Sequence, residues 1–383
     1  MPGILQTRRM RLAAMAQGGA GNSPGAKPEL VISDLKAYPL REPVSRRSYT
    51  VLEVQTKGGL TGYGECSAAP ADALALAKQT ALGQAATSYE VISRQLAGSA
   101  GMQAAVVMAL LDITGKYAKA PLYQVLGGPT RNKARALAPL TGASDSELVA
   151  QMKRAHGVGH RAFLVPAPAV AAANQGQAFV KATRGRLESL RADGGPDVDF
   201  VLDGGGRLSP GDSASLAAAL ERFHLLWFDE PCRTSNISTL HKIAGETVTP
   251  LGFGRRLHQG GAFQDLLRDQ VIDVLRPSLA LNGLSQLRRM AALAETYYTA
   301  IAPYHDGGPI ATAAALHLAA SLPNFFIQQV PFTEASEDRA MRASLGGASL
   351  EKSVEGFLSL PTGPGLGVTV DRGALEKYRE RAA

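Results

Sequence analysis

The chain has 383 residues, 45% of them apolar, and a net charge of +7 at neutral pH. That length suits one barrel of about 250 residues plus a second module, and no apolar run approaches the roughly 20 residues that span a membrane. Four positive charges (Arg8, Arg9, Arg11 and Lys27) fall in residues 1–28, which hold no acid. The +3 left on the rest of the chain, without a basic stripe interleaved with aromatics, argues against a nucleic-acid partner.

Residues 1–28 read as a disordered basic tail, because Gly18, Gly19, Gly21, Ser23, Pro24 and Gly25 offer nothing to bury. Thr7-Arg8-Arg9-Met10-Arg11-Leu12 is similar to a twin-arginine export signal. The apolar stretch after it, residues 12–16, is shorter than the roughly 7–15 residues such a signal needs. The expected location is therefore cytoplasmic, with export as the alternative. Two distant cysteines without CxxC spacing, Cys66 and Cys232, read as reduced thiols and not as a zinc site or disulfide framework.

Residues 30–66 alternate apolar and polar positions in three runs, with Lys57-Gly58-Gly59 as a turn, and predict a three-stranded meander. Two helices are expected next, at about 71–96 and 102–118. The second carries Val106, Met108, Leu110, Leu111 and Ile113 and stops at Pro121 and Gly127-Gly128. Strands followed by helices make an α+β module over residues 29–134. From about residue 135 short apolar strands alternate with helical stretches. Strand cores are expected near Leu137, Ala162, Phe200, Leu225, Leu251, Ile272, Ala300 and Phe326. Eight such units predict a closed parallel barrel over 135–345, and no GxGxxG follows a first strand to favour an open sheet. A last segment, 346–383, is expected to return to the first module.

In such barrels chemistry sits at the C-terminal ends of strands. The third strand ends in Asp203-Gly204-Gly205-Gly206-Arg207, the fourth in Asp229-Glu230-Pro231 and the fifth in Gly254-Arg255-Arg256. Residues 203, 229 and 255 are equally spaced along the chain. Adjacent units would therefore set them side by side at one rim.

These phrases, together with Gly62-Tyr63-Gly64-Glu65, Tyr123-Gln124-Val125-Leu126-Gly127-Gly128, Gly308-Pro309-Ile310-Ala311-Thr312 and Leu360-Pro361-Thr362-Gly363, resemble the mandelate racemase/muconate lactonizing enzyme branch of the enolase superfamily, above all its sugar-acid dehydratases. The resemblance implies an α/β fold: a modified TIM barrel, (β/α)7β, under an N-terminal α+β capping domain. It also implies proton abstraction α to a carboxylate, with Mg²⁺ stabilising the ene-diolate. Three carboxylates from the third, fourth and fifth strands would hold that ion. Asp203 matches the first, Asp229 stands for a usual Glu, and Arg255 stands where the third belongs. A guanidinium has donors only and cannot ligate a cation, but it pairs well with carboxylates. We therefore expect Arg255 to take the cation's electrostatic place beside Asp203 and Asp229.

The family's acid and base positions are altered as well. Gly205 stands where the dehydratases carry His, Leu164 where other members carry Lys, and Ser278 where an orienting Asp is found. Tyr304, with His305 beside it, stands at the strand-seven His, and Gln329 at the strand-eight Glu. Tyr304 could move a proton only with a pKa well below about 10.

The function expected first is binding of an anionic carboxylate or sugar acid, with a degenerate Mg²⁺ site and no cofactor. One alternative is a Mg²⁺-dependent dehydratase or racemase with a relocated ligand set drawing on Glu230 or Asp306. Another is metal-independent chemistry, in which Arg255 and Arg256 clamp the substrate and Tyr304, His305 or Gln329 act on it. Arg46 and Arg47, in the loop where the family selects substrate, complete the candidate anion contacts. The expected partners are a small anionic molecule and, from the family, further copies of the chain, with neither nucleic acid nor membrane.

Overall fold

A computed structural model of the protein describes residues 27–169, 176–233, 237–258 and 260–380. The twin-arginine-like segment and nearly all of the expected tail fall outside the described residues. No helix among the described residues is long and apolar enough to cross a membrane.

The N-terminal module is an antiparallel sheet of β1 (Ile32–Arg41), β2 (Ser48–Thr56) and β3 (Thr61–Cys66) in that order. It packs on α3 (Ala100–Tyr117), an almost wholly buried helix. The Gly62-Tyr63-Gly64 phrase has a steric reason: a Cβ on Gly62 would lie 2.2 Å from the Ala109 carbonyl oxygen, and one on Gly64 1.9 Å from that of Ala105. Only glycine lets the strand lie so close to the helix backbone.

The single helix expected at 71–96 is instead two, α1 (Ala71–Ala81) and α2 (Tyr89–Gln95). Leu82 leaves the helix and Gly83 turns left-handed, at φ +82°. The Gly83 amide donates to the Ile32 carbonyl, and the Gln84 carbonyl accepts from the Ile32 amide. Backbone pairing with the edge of β1 thus replaces helix continuation.

A short helix, α4 (Leu122–Val125), leads into the barrel. The barrel strands are β4 (Lys133–Pro139), β5 (Ala162–Pro166), β6 (Asp199–Asp203), β7 (Trp227–Asp229), β8 (Leu251–Phe253), β9 (Val274–Leu275), β10 (Ala300–Ile301) and β11 (Gln328–Gln329). They pair in parallel in chain order, and β11 pairs with β4. A bridge from Ile301 to Phe325 closes the ring.

Inward side chains (Leu137, Ala162, Leu164, Val201, Trp227, Val274, Ala302 and Ile327) fill the barrel. The alternate set, including Phe163, Phe200, Leu202, Phe228 and Phe253, packs outward on the helices. This period of two is what a pleated strand imposes. Three strand cores begin two residues later than expected, at 227, 274 and 328. Leu225 and Ile272 are buried in the approach to their strands, and Phe326 donates its amide to Ile301 in the closing bridge.

The helices after the strands are α5 (Asp145–Gly157), α6 (Gly176–Gly194), α7 (Pro210–Ala219), α8 (Ile237–Gly245), α9 (Gly260–Arg268), α10 (Leu279–Glu295), α11 (Pro309–Ser321) and α12 (Ser336–Gly346). The C-terminal segment first adds β12 (Phe357–Ser359) antiparallel to the start of β4. It then reaches the first module, where Gly365 bridges Pro121 and, beyond α13 (Arg372–Lys377), Arg379 bridges Leu40.

Candidate functional site

The register of β6 and β7 places Asp203 and Asp229 directly opposite each other at their C-terminal ends. The turn after β8 brings Arg255 between them. Its guanidinium pairs with both oxygens of Asp203 (Nη1 to Oδ2 is 3.2 Å), and its Nε lies 3.2 Å from Asp229 Oδ2. Burial by itself would lower the pKa of this guanidinium. Asp229 and Asp203 outweigh burial and hold it above the ordinary arginine value.

A second arginine, which the sequence reading overlooked, completes the arrangement. Arg276, fully buried after β9, donates to Asp229 Oδ1 (2.9 Å), to the Ala302 carbonyl (2.6 Å) and to Gln329 Oε1 (2.6 Å). Its guanidinium lies 5.1 Å from the Trp227 ring centre, and the indole N–H donates to the same Asp229 oxygen. Two guanidiniums thus lie against the Asp203 and Asp229 carboxylates inside the barrel mouth, with the buried Glu230 beside them. The available signal was the charged residue in Leu275-Arg276-Pro277, at the mouth end of an expected strand.

The other candidates divide. Gln329 is held by Arg276 and faces the cleft from the barrel floor. Tyr304 lines the cleft but donates its hydroxyl to Asp306 Oδ2 (2.7 Å). Burial, aided by Asp306, raises its pKa, opposite to what proton transfer at neutral pH requires. His305 also borders the cleft, yet both ring nitrogens are engaged. Nδ1 accepts from the Gly307 amide (3.1 Å), so Nε2 carries the proton toward Thr312 Oγ1 (2.8 Å). Burial, with Arg342 nearby, pushes its pKa down to about 4.

Arg47 reaches the cleft, whereas Arg46 is not among its lining residues. Arg256 turns to a separate hollow beside Gly206 and donates to the Gly205 carbonyl (2.9 Å). The consecutive side chains of Arg255 and Arg256 thus leave this turn in different directions. Glu230, the neighbour of Asp229, accepts from the Gly254 (2.7 Å) and Arg255 (2.8 Å) amides through Oε1 and so holds the turn that carries Arg255.

The cleft enclosed between cap and barrel measures about 490 Å³. Its cap side contributes Glu65, the last residue of Gly62-Tyr63-Gly64-Glu65. The Glu65 carboxylate accepts from the Gly308 and Ala311 amides at the start of α11 (3.2 Å for Ala311). Burial nevertheless pushes its pKa up to about 7.

Mg²⁺ needs a set of oxygen ligands in near-octahedral array. Here a guanidinium occupies the space between the two carboxylates, and no group of three or more His, Cys, Asp or Glu among the described residues is placed to hold a metal.

A profile described as Enolase C-terminal domain-like matches residues 142–374, and one described as Mandelate racemase / muconate lactonizing enzyme, N-terminal domain, matches residues 40–127. The chain belongs to the mandelate racemase/muconate lactonizing enzyme branch of the enolase superfamily. It is 30% identical over 302 residues to a D-galactonate dehydratase family member of Streptomyces bingchenggensis, covering 72% of each chain. It is 30% identical over 285 residues to a D-galactonate dehydratase of Ralstonia nicotianae, covering 73% of this chain and 74% of the other. The fold is similar to that of a mandelate racemase/muconate lactonizing enzyme from Jannaschia sp. CCS1, with a TM-score of 0.82 and 23% identity, covering 92% of this chain and 98% of that one.

Proposed function

We propose that this protein binds a sugar acid or closely related carboxylate in the cleft between cap and barrel, and that it does so without Mg²⁺. The observation that carries this reading is the Arg255 guanidinium set between Asp203 and Asp229. Held in place by these two carboxylates, Arg255 keeps part of its side chain open to the cleft, so its remaining N–H groups are already oriented for a ligand carboxylate and need no reorganisation when the ligand arrives. Arg47, held only loosely by Glu42 at 3.4 Å, supplies a second cation from the cap. The hydroxyls of Ser67 and Thr141 border the same cleft and suit a polyhydroxy chain. The relatives named D-galactonate dehydratase support the substrate class.

The same relatives favour a second reading, dehydration of the sugar acid. That reaction needs a base for the proton α to the carboxylate. In this reading Glu65, which borders the cleft and whose pKa is raised by burial to about 7, is the group poised to accept a proton near neutral pH.

The test is calorimetric titration of D-galactonate into chelator-treated protein, with and without millimolar Mg²⁺, alongside an assay for the 2-keto-3-deoxy acid. The expected result is one-site binding indifferent to Mg²⁺, weakened about tenfold or more in Arg255→Met, with no keto acid formed. Mg²⁺ binding abolished by Asp203→Asn, together with keto-acid production, would overturn the metal-free reading and establish the dehydratase. Assembly into a homo-oligomer, expected from the family, is part of the proposal and is checked by light scattering.

A further inference from the structure

A larger cavity, of about 640 Å³, lies away from the barrel mouth. It opens on the barrel's flank between α5 and the segment 331–353. Its walls are mostly apolar, with Val158, Pro331, Phe332, Ala343 and Ala348 among them. That size falls within the roughly 300–1,000 Å³ of small-molecule sites, which pair apolar walls with a few placed polar groups.

The polar groups here are unfinished. His160 is only 4% exposed, packs edge-on against Phe332 (ring centres 5.5 Å apart), and its Nδ1 has no hydrogen-bond partner among the described residues. Thr333 Oγ1, next to Phe332 in the lining, is likewise buried without a partner among the described residues. A buried polar atom left unpaired costs about 1–3 kcal/mol, and such atoms in folded proteins call for an explanation.

The charges at the cavity are also asymmetric. Lys153 and Arg154 are paired with Asp193 and Glu334. Lys352 and Arg339 form no ion pair among the described residues, and Arg339 donates only to the Glu334 main-chain carbonyl. Two cations not neutralised by carboxylates therefore stand at the edge of an apolar hollow.

We propose that this flank cavity is a second binding site, for a compact organic anion with an aromatic or short aliphatic body. The apolar body lies against Phe332 and Val158, the anionic head meets Lys352 and Arg339, and a hydrogen bond engages the Thr333 hydroxyl. The inner wall connects this site to the cleft. Arg342 and Glu351 border the cavity, Glu351 accepts from Thr312 (2.6 Å), and Thr312 contacts the ring of His305. An occupant would sit one hydrogen-bonded chain away from the barrel mouth.

The probe is the aromatic sulfonate 8-anilinonaphthalene-1-sulfonate, titrated into the full chain and followed by fluorescence. One saturable site is expected. Ala348→Trp, which fills the exposed edge of the cavity, should abolish it. Lys352→Glu should weaken it about tenfold, while Lys57→Glu, the same charge change on a distant turn of the cap, and Arg255→Met, in the cleft, should leave it unchanged. Circular dichroism melts identify any variant that fails to fold. The proposal is overturned if no saturable binding is seen up to millimolar probe, if all variants bind alike, or if Arg255→Met is the change that weakens binding.

Discussion

Asp229 is fully buried between two guanidiniums, with the Trp227 N–H on one oxygen. A carboxylate so deep in the barrel is tolerable only because it is paired, since an isolated buried charge is far costlier than a buried pair. The two arginines are not equivalent. Arg276 is sealed inside, whereas the side chain of Arg255 keeps 14% exposure toward the cleft. Arg276→Met removes the sealed partner and strands Asp229, Gln329 Oε1 and the Ala302 carbonyl. It should cost about 3–5 kcal/mol, the usual loss on breaking a buried pair from one side, measured as a fall in the denaturant midpoint. Arg255→Met should cost clearly less. Equal losses in the two variants would show that burial does not set the energetics of the cluster.

The loop between β1 and β2 is held by a constellation of charges from the far end of the chain. The Val44 and Ser45 amides both donate to the Asp338 carboxylate at 2.8 Å. Glu42, fully buried, accepts from Arg342 (2.5 Å) and Ser45. Burial alone would raise the pKa of Asp338, but the two amides outweigh it and hold the pKa below the usual carboxylate range. Because this loop carries Arg47 into the cleft, its order governs one of the two cations offered to a ligand. Asp338→Ala removes two charge-assisted hydrogen bonds, each worth about 1.5–3 kcal/mol. Hydrogen exchange at the Val44 and Ser45 amides should accelerate by at least about tenfold, with exchange in α3 unchanged. Protection that persists at both amides would place the latch elsewhere, on Glu42 and Arg342. The eight barrel strands and the three-stranded cap were readable from period and spacing. The split of the expected first helix was not, because what ends it is the backbone of Ile32, some fifty residues away, and not a local breaker alone.

Cap and barrel meet through Glu65, which crosses from β3 to the first turn of α11. Its folded pKa, about 7, lies above the ordinary value of 4.5. The folded state therefore holds a proton that the unfolded state has lost between these values. Stability from this group is complete below pH 4.5 and declines as pH rises toward 7. The buried histidines 160, 305 and 317 run the other way. Their folded pKa values of about 4 lie below 6.5, so stability is lost as pH falls from 6.5 toward 4. Glu65→Gln removes a contribution that opposes the histidines. Its unfolding free energy, followed between pH 4.5 and 7, should rise with pH more steeply than the parent's by up to about 1.4 kcal/mol per pH unit. Parallel pH profiles would mean that Glu65 stays ionised throughout and acts only as a tether.

The sequence by itself determined the branch, the order of strands and the placing of an arginine, Arg255, at the rim that carries Asp203 and Asp229. These follow from residue type and spacing: alternation fixes which faces are buried, and a guanidinium has no lone pair for a cation whatever surrounds it. Tertiary structure alone decided which side chains are free. His305 and Tyr304 looked able to move protons because of what they are, but their nitrogens and hydroxyl are spent on Gly307, Thr312 and Asp306. Arg256 looked like a partner of Arg255 until the turn sent it to another hollow. Arg276 acquired its role only when barrel closure brought Ala302 and Gln329 to it. Hydrogen-bond capacity is a property of the residue, but its allocation depends on neighbours far apart in the chain, which only folding brings together.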